Sequence, residues 1–184
     1  ARSTDIITQL GEQPAYGLPP PGAGAHGYTP PPGLEFDPVK ARALLAEAGY
    51  PDGKGLPRIE YLYFPKTVET NIAVELQSMW REHLGVPVQI VKQAWKIYLA
   101  SMKALQYQMC RSSWVGDYND PNTFLEMFTS ASGNNRTGWK SDAYDRLIAQ
   151  AAALADPAQR KAPFAQAEHA PCATDTVTPP PCYY

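Results

Sequence analysis

Asp117 stands in the run Arg111-Ser-Ser-Trp-Val-Gly-Asp-Tyr-Asn-Asp-Pro-Asn-Thr-Phe124, between Trp114 and Tyr118. A carboxylate set among aromatic rings can hold a cation, such as the ammonium end of a peptide, through charge-assisted hydrogen bonds. The same residue type commonly closes an Asx-turn with its own side chain, so both uses are open at Asp117. Arg111 is the other charge on this stretch and is open to a salt bridge at a strand edge, worth little if exposed. Covalent chemistry has no foothold in the sequence. It contains no Gly-x-Ser-x-Gly, Walker loop or His-Glu-x-x-His. The three histidines, His26, His83 and His169, are widely separated. Asp142 and Asp145 share a helix turn and read as a solvated face. There is no Cys-x-x-Cys and no Cys/His cluster with zinc spacing, so neither a metal nor a cofactor is expected.

The elements around Asp117 decide what it faces. Met109 to Val115 reads as a short strand and Gly116 to Asn119 as a turn. Asp120-Pro121 has the form of a helix start, with Asp as cap and Pro at the first helical position. Asp117 is then offered just past a strand end, where open α/β sheets usually bind ligands. Ile59 to Phe64 is a nearly continuous apolar run, as expected for a strand covered on both faces. Glu69 to Leu84 reads as a helix with Ile72, Leu76, Met79, Trp80 and His83 on one stripe. Val86 to Val91 is the next strand. Strand, helix and strand make a parallel, right-handed βαβ unit. His83 suits the helix end, where the last carbonyls favour it. Trp95 to Ala104 is a further helix, with Trp95 suited to a core, and Gln106 to Trp114 carries the third strand.

Upstream, Ile6, Ile7 and Leu10 suggest a helix end stopped at Gly11. A Pro/Gly-rich stretch then runs to Gly33, too poor in apolar residues for a core element. It is either a disordered linker or a segment lying on a surface. Asp37-Pro38 caps a helix whose Ala41, Leu44, Leu45 and Ala48 share a face, ended by Gly49. Downstream, Pro121 to Phe128 reads as a short helix and Ser130 to Gly138 as a polar loop. Ser141 caps a helix with Leu147, Ile148, Ala151 and Leu154 on its buried side. Asp156-Pro157, with Gln159 after them, starts a last helix running to about Glu168. Pro179 to Pro181 make the tail poor strand material.

The chain has 184 residues, with 16 Lys and Arg against 18 Asp and Glu, a formal net charge of −2. That is enough chain for a sizeable core, and the charge balance does not suggest a nucleic-acid or membrane-surface binder. No apolar run reaches the roughly 20 residues of a membrane span, and no leader with a long apolar region is visible. That fits either a cytoplasmic protein or a mature or truncated exported one. The three cysteines leave two options: a Cys172–Cys182 bridge with Cys110 left over, or three free thiols.

The run Trp114-Val-Gly-Asp-Tyr-Asn-Asp-Pro121 resembles a family pattern: an aromatic, two small residues, Asp, Tyr, an amide or acidic pair, then Pro. The family is solute-binding protein family 5, which serves ABC importers of oligopeptides, dipeptides and nickel. The oligopeptide-binding branch is the most similar. Three further runs resemble it: Gly11-Glu-Gln-Pro-Ala15 before a proline-rich connection, Asp37-Pro-Val-Lys-Ala-Arg-Ala-Leu-Leu-Ala-Glu-Ala-Gly49, and Asn134-Asn135 leading to Trp139 and Ser141-Asp-Ala-Tyr-Asp-Arg-Leu-Ile148. The resemblance implies an α/β fold, a single lobe of the periplasmic-binding-protein type II fold with a mixed or parallel sheet and flanking helices. It implies an extended connection over 1–36, a peptide-binding lobe over 37–170, and a tail over 171–184 leading toward a further strand.

The resemblance also implies a function: no enzyme, but a periplasmic or extracytoplasmic protein, membrane-associated in a Gram-positive relative. It binds short peptides and works with a membrane permease. Asp117 would take the peptide's α-ammonium. The main chain of Ser113, Trp114 and Val115 would pair with the extended ligand as an added strand. Trp95, Trp114 and Tyr118 would wall the pocket, Asn119 would stand beside them, and Arg111 would help neutralise the carboxyl end. Met102 occupies the place where better-known members carry an arginine for that end, so ligand length stays open, and dipeptides, nickel complexes and other cationic ligands remain alternatives. Relatives are far longer and clamp their ligand between two lobes. A partner lobe is therefore expected, together with weak binding by this chain alone. An interaction or structural domain released by proteolysis is the rival reading.

Overall fold

The computed structural model describes residues 13–15, 17–24, 27–175, 177 and 182–183. In chain order the elements are β1 (Gln13–Pro14), α1 (Pro38–Glu47), β2 (Ile59–Tyr63), α2 (Thr67–Leu84), β3 (Val88–Lys92), α3 (Trp95–Lys103), β4 (Met109–Cys110), α4 (Asn122–Leu125), α5 (Asp142–Ala153), α6 (Pro157–His169) and β5 (Cys182–Tyr183). They gather into two compact units. One is built from residues 35–113, the other from the described residues of 11–34 together with 114–184. The division at Ser113–Trp114 falls inside the stretch 37–170 that the sequence suggests as one lobe. Ile6, Ile7, Leu10, Gly11 and His26 lie outside the described residues.

In the first unit β2 pairs in parallel with β3 on one side and β4 on the other, giving the order β3-β2-β4. The expected βαβ unit is present. A central strand is covered on both faces, which is why Ile59 to Tyr63 is apolar but for the exposed Glu60. Tyr61 and Tyr63 pack on one side with Ala73, Val86 and Val88, while Leu62 packs on the other with Tyr98 and Met102 of α3. The Asp37 side chain caps α1 by accepting from Lys40 N at 2.9 Å. The expected buried face of α1 is only half realised. Leu45 packs against the core, but Leu44 is 53% exposed and no α1 residue is fully buried. Among elements of its unit α1 leans on α2, so only the Leu45 edge of the stripe is covered.

The third strand is much shorter than expected. Its ladder ends at Cys110, and only Arg111 N continues it, donating to Leu62 O at 2.8 Å. The next backbone partners along this ladder are engaged elsewhere: Arg111 O accepts from the Tyr98 hydroxyl, and Phe64 O accepts from Lys66 N at 3.0 Å.

In the second unit α5 and α6 start as the sequence suggests. Ser141 Oγ accepts from Tyr144 N at 3.3 Å, and Asp156 Oδ1 accepts from Ala158 N at 2.9 Å. The buried side of α5 is carried by Tyr144, Ile148 and Ala151, with Leu147 partly covered. Tyr144 O–H donates to Leu125 O at 2.6 Å, which ties α4 to the helix pair. The Pro/Gly-rich stretch is not a linker. Ala23 and Tyr28, 9% and 2% exposed, belong to this core with Phe128, Phe164 and Ala167. A strand also forms in the tail despite its prolines, as β5 pairs antiparallel with β1. Cys172 is a free thiol, so the Cys172–Cys182 bridge is absent.

Candidate ligand-binding site

Because β2, β3 and β4 are parallel, their C-terminal ends share one edge of the first unit. The chain leaves β2 toward β3 and returns past it to β4, which makes this edge a topological switch point. Phe64 follows β2, and Trp95 opens α3 just after β3. The two rings meet edge-on at 5.1 Å, and Trp95 stacks on Tyr98 at 5.7 Å. Trp95 is 52% exposed, so it is not a core residue. Lys66 Nζ lies 5.8 Å from the Phe64 ring centre. The Tyr98 hydroxyl donates to Arg111 O, and burial pushes its pKa well above the usual tyrosine range.

Arg111 is at this edge but is engaged. Its Nε lies 2.9 Å from Glu69 Oε2, with 9% and 22% of the two side chains exposed. The guanidinium also donates to Ser112 O. The sequence expectation of a strand-edge salt bridge holds, but the pair is largely buried and therefore costly to break.

The remaining site residues lie on one loop of the second unit. Asp117 N–H donates to Thr123 Oγ1 at 3.0 Å, while its carboxylate is exposed and has no recorded partner among the described residues. The Asx-turn that Asp117 might have closed is made by Asp120 instead, whose Oδ1 accepts from Asn122 N at 2.8 Å. Asp120 is also gripped by Arg160 through two contacts of 2.5 and 3.1 Å. Gly116 is required for closeness, since a Cβ there would stand 2.9 Å from the Phe124 ring. Tyr118 O–H donates to Glu126 Oε1 at 3.0 Å and accepts from Asn122 Nδ2 at 3.0 Å. Burial raises its pKa despite the Asn122 bond. Asn119 points its amide oxygen at Gly24 N, 2.9 Å away. The Trp114 indole N–H is buried and has no hydrogen-bond partner among the described residues. Val115 is 84% exposed.

Of the residues the sequence singles out, Trp114, Val115, Asp117, Tyr118 and Asn119 share this loop. Trp95 and Arg111 share the sheet edge of the first unit, and Ser113 is that unit's last residue. The backbone of Ser113 to Val115 makes no backbone hydrogen bond among the described residues. Sequence reasoning missed Phe64, Tyr98, Glu69 and Thr123. Phe64 had a signal, as an aromatic at a strand's C-terminal end ahead of Pro65; the others had none. Among the described residues no group of three potential metal ligands occurs, and no helix is long and apolar enough to cross a membrane.

These features define an α/β module whose first unit carries exposed aromatic residues at the carboxyl edge of a parallel sheet. The chain belongs to the bacterial extracellular solute-binding proteins, family 5, whose middle-region profile matches residues 3–136. It is similar to the periplasmic murein peptide-binding protein MppA of Escherichia coli (strain K12), with 35% identity over 171 residues, 90% of this chain and 31% of that protein. It is similar to the periplasmic oligopeptide-binding protein OppA of the same organism, with 34% identity over 166 residues, 88% of this chain and 30% of that protein. The solved complex of Haemophilus influenzae OppA with RPPGFSPFR shares the fold at a TM-score of 0.82 and 29% identity, covering 91% of this chain and 34% of that one. The fold is the solute-binding-protein type II α/β fold, and the chain spans about a third of the length of these relatives.

Proposed function

We propose that this chain carries the amino-end recognition loop of an extracytoplasmic protein that binds short peptides and delivers them to an ABC-type membrane permease. The observation that carries the reading is Asp117: its main chain is pinned to Thr123, while its carboxylate is exposed and unpartnered among the described residues. A preorganised carboxylate of this kind suits an ammonium group, because its own positioning cost is already met by the fold. The unpaired main chain of Ser113 to Val115 suits an extended peptide joined as an added strand, which is indifferent to side chains. Trp114 and Tyr118 supply apolar walls beside the ammonium. The peptide-binding names of the relatives support this ligand class. The family's description as solute-binding proteins supports binding without turnover.

Calorimetric titration of the complete parent protein with tri- to pentapeptides tests the proposal. Asp117→Ala should cost on the order of 2–5 kcal/mol for peptides with a free amino end. Peptides with an acetylated amino end should bind the unaltered protein weakly and lose little more on substitution. Equal affinity of the Asp117→Ala protein and the unaltered protein for free-amino peptides would refute the assignment.

A further inference from the structure

Glu168, in the last turn of α6, is fully buried in the second unit. Both its carboxyl oxygens are engaged: Leu18 N–H donates to Oε1, and Tyr28 O–H donates to Oε2 at 2.6 Å. Leu18 and Tyr28 are the two ends of a proline-rich strap. The strap closes on itself through Gly22 N to Tyr28 O at 2.8 Å and Tyr28 N to Ala23 O at 2.9 Å. Gly17 lets it lie close, since a Cβ there would overlap the Glu168 carboxyl and stand 2.7 Å from Pro30 Cβ. One buried side chain therefore clamps both ends of the strap to α6.

The tip of the strap reaches the loop that bears Asp117. Gly24 N–H donates to Asn119 Oδ1 at 2.9 Å, and Gly24 packs so closely on Pro121 that a Cβ would stand 3.1 Å from its ring. A backbone N–H only donates, so the amide oxygen of Asn119 must face it. The gap beside this joint, lined by Ala23, Tyr28, Pro121 and Arg160 among others, holds about 20 Å³. That is room for about one water, so the joint is packed and is not itself a ligand cavity. The loop is thus pinned at three places: Asp117 N–H on Thr123, Asn119 on Gly24, and Asp120 on Arg160.

We propose that Glu168 and Asn119 are positioning residues for ligand binding: Glu168 clamps the 18–28 strap to α6, and the strap sets, through Gly24 and Asn119, the loop that presents Asp117. The proposal rests on the reading of Asp117 as the ammonium acceptor. It assigns the Asn119 side chain to holding the loop and not to touching the ligand.

Amide hydrogen exchange of the 184-residue chain without ligand tests the mechanical part. Asn119→Ala and Tyr28→Phe should each speed exchange at Gly24 and Asp117 by about tenfold, the effect of one lost hydrogen bond. Amides within α5 should keep their protection, and Asn119→Asp, which retains an acceptor oxygen, should restore the slow rates. Glu168→Gln keeps one acceptor and should loosen Leu18, Gly24 and Asp117 together; if it unfolds the chain, Tyr28→Phe still reads the clamp. Unchanged exchange at Asp117 in Asn119→Ala and Tyr28→Phe would overturn the coupling. In the parent protein, peptide affinity should fall about tenfold in Asn119→Ala and recover in Asn119→Asp. A loosened loop with unaltered affinity would overturn the positioning role. If the unaltered parent binds no free-amino peptide, the Asp117 reading fails, while the exchange results still decide whether strap and loop are coupled.

Discussion

Arg111 and Glu69 face each other at 2.9 Å in the first unit, with little of either side chain in water. Removing one partner leaves the other charge buried and uncompensated. Arg111→Ala should therefore destabilise the fold by about 3 kcal/mol, and Glu69→Ala by a similar amount. The double substitution should cost clearly less than the sum, because no orphan charge remains. Urea unfolding of the four proteins measures this. Were Arg111 held chiefly for a ligand's carboxyl end, its loss would lower affinity and leave the unfolding midpoint in place. Asp117 is the contrasting case. Its carboxylate has no partner among the described residues of its unit, so Asp117→Ala is expected to fold as before and to fail only in binding.

Among the elements, the strap and α6 carry the pH response. Burial raises the Glu168 pKa to about 7, although the bonds from Tyr28 and Leu18 pull it partly back. The groups facing it are Tyr28 on the strap, Tyr144 on α5, and Cys172, whose thiol burial pushes up to about 12. Burial keeps Tyr144 and Cys172 neutral across the window that matters. A raised carboxyl pKa means that the folded chain holds its proton more tightly than the unfolded one. The stability it contributes is complete below about pH 4.5 and is lost as the pH climbs through 7. Stability should fall by on the order of 2–3 kcal/mol between pH 4.5 and 8, and Glu168→Gln should lack this component. A matching decline in the substituted chain would place its origin in another group.

Much at this scale was legible. Capping residues announced α1, α5 and α6, because a short side-chain acceptor ahead of an apolar run has few other uses. Ile59 to Tyr63 announced a central strand because its apolar run, broken only at Glu60, suits a strand covered on both faces. What was hidden depended on partners distant in sequence. β4 stops early because its next backbone partners bond elsewhere, Arg111 O to the Tyr98 hydroxyl and Phe64 O to Lys66 N, and Tyr28 joins a core only because Glu168 and α5 wait for it. Asp120 takes the turn that Asp117 could have closed because Arg160 comes from α6. At the site, the loop and its acid could be read from the motif, but the engagement of Arg111 by Glu69 and of Asn119 by Gly24 could not.

For the molecule as a whole, the candidate recognition groups divide between two units, with the chain passing from one to the other at Ser113–Trp114. Trp95 and its aromatic neighbours belong to one, Asp117 and its loop to the other. The chain spans about a third of its relatives. Peptide binding by this chain alone should accordingly be weak, in the millimolar range that a few exposed contacts sustain. Tight binding in calorimetric titration would show that the contacts present here suffice.

Trp95 makes that comparison visible without a label. Of the four tryptophans it alone is exposed, the others being at least half shielded. Its indole meets water on one side and Tyr98 on the other. An arriving side chain that dries the open side would shift its emission to shorter wavelength, so a change of colour in the ultraviolet would count each occupied molecule.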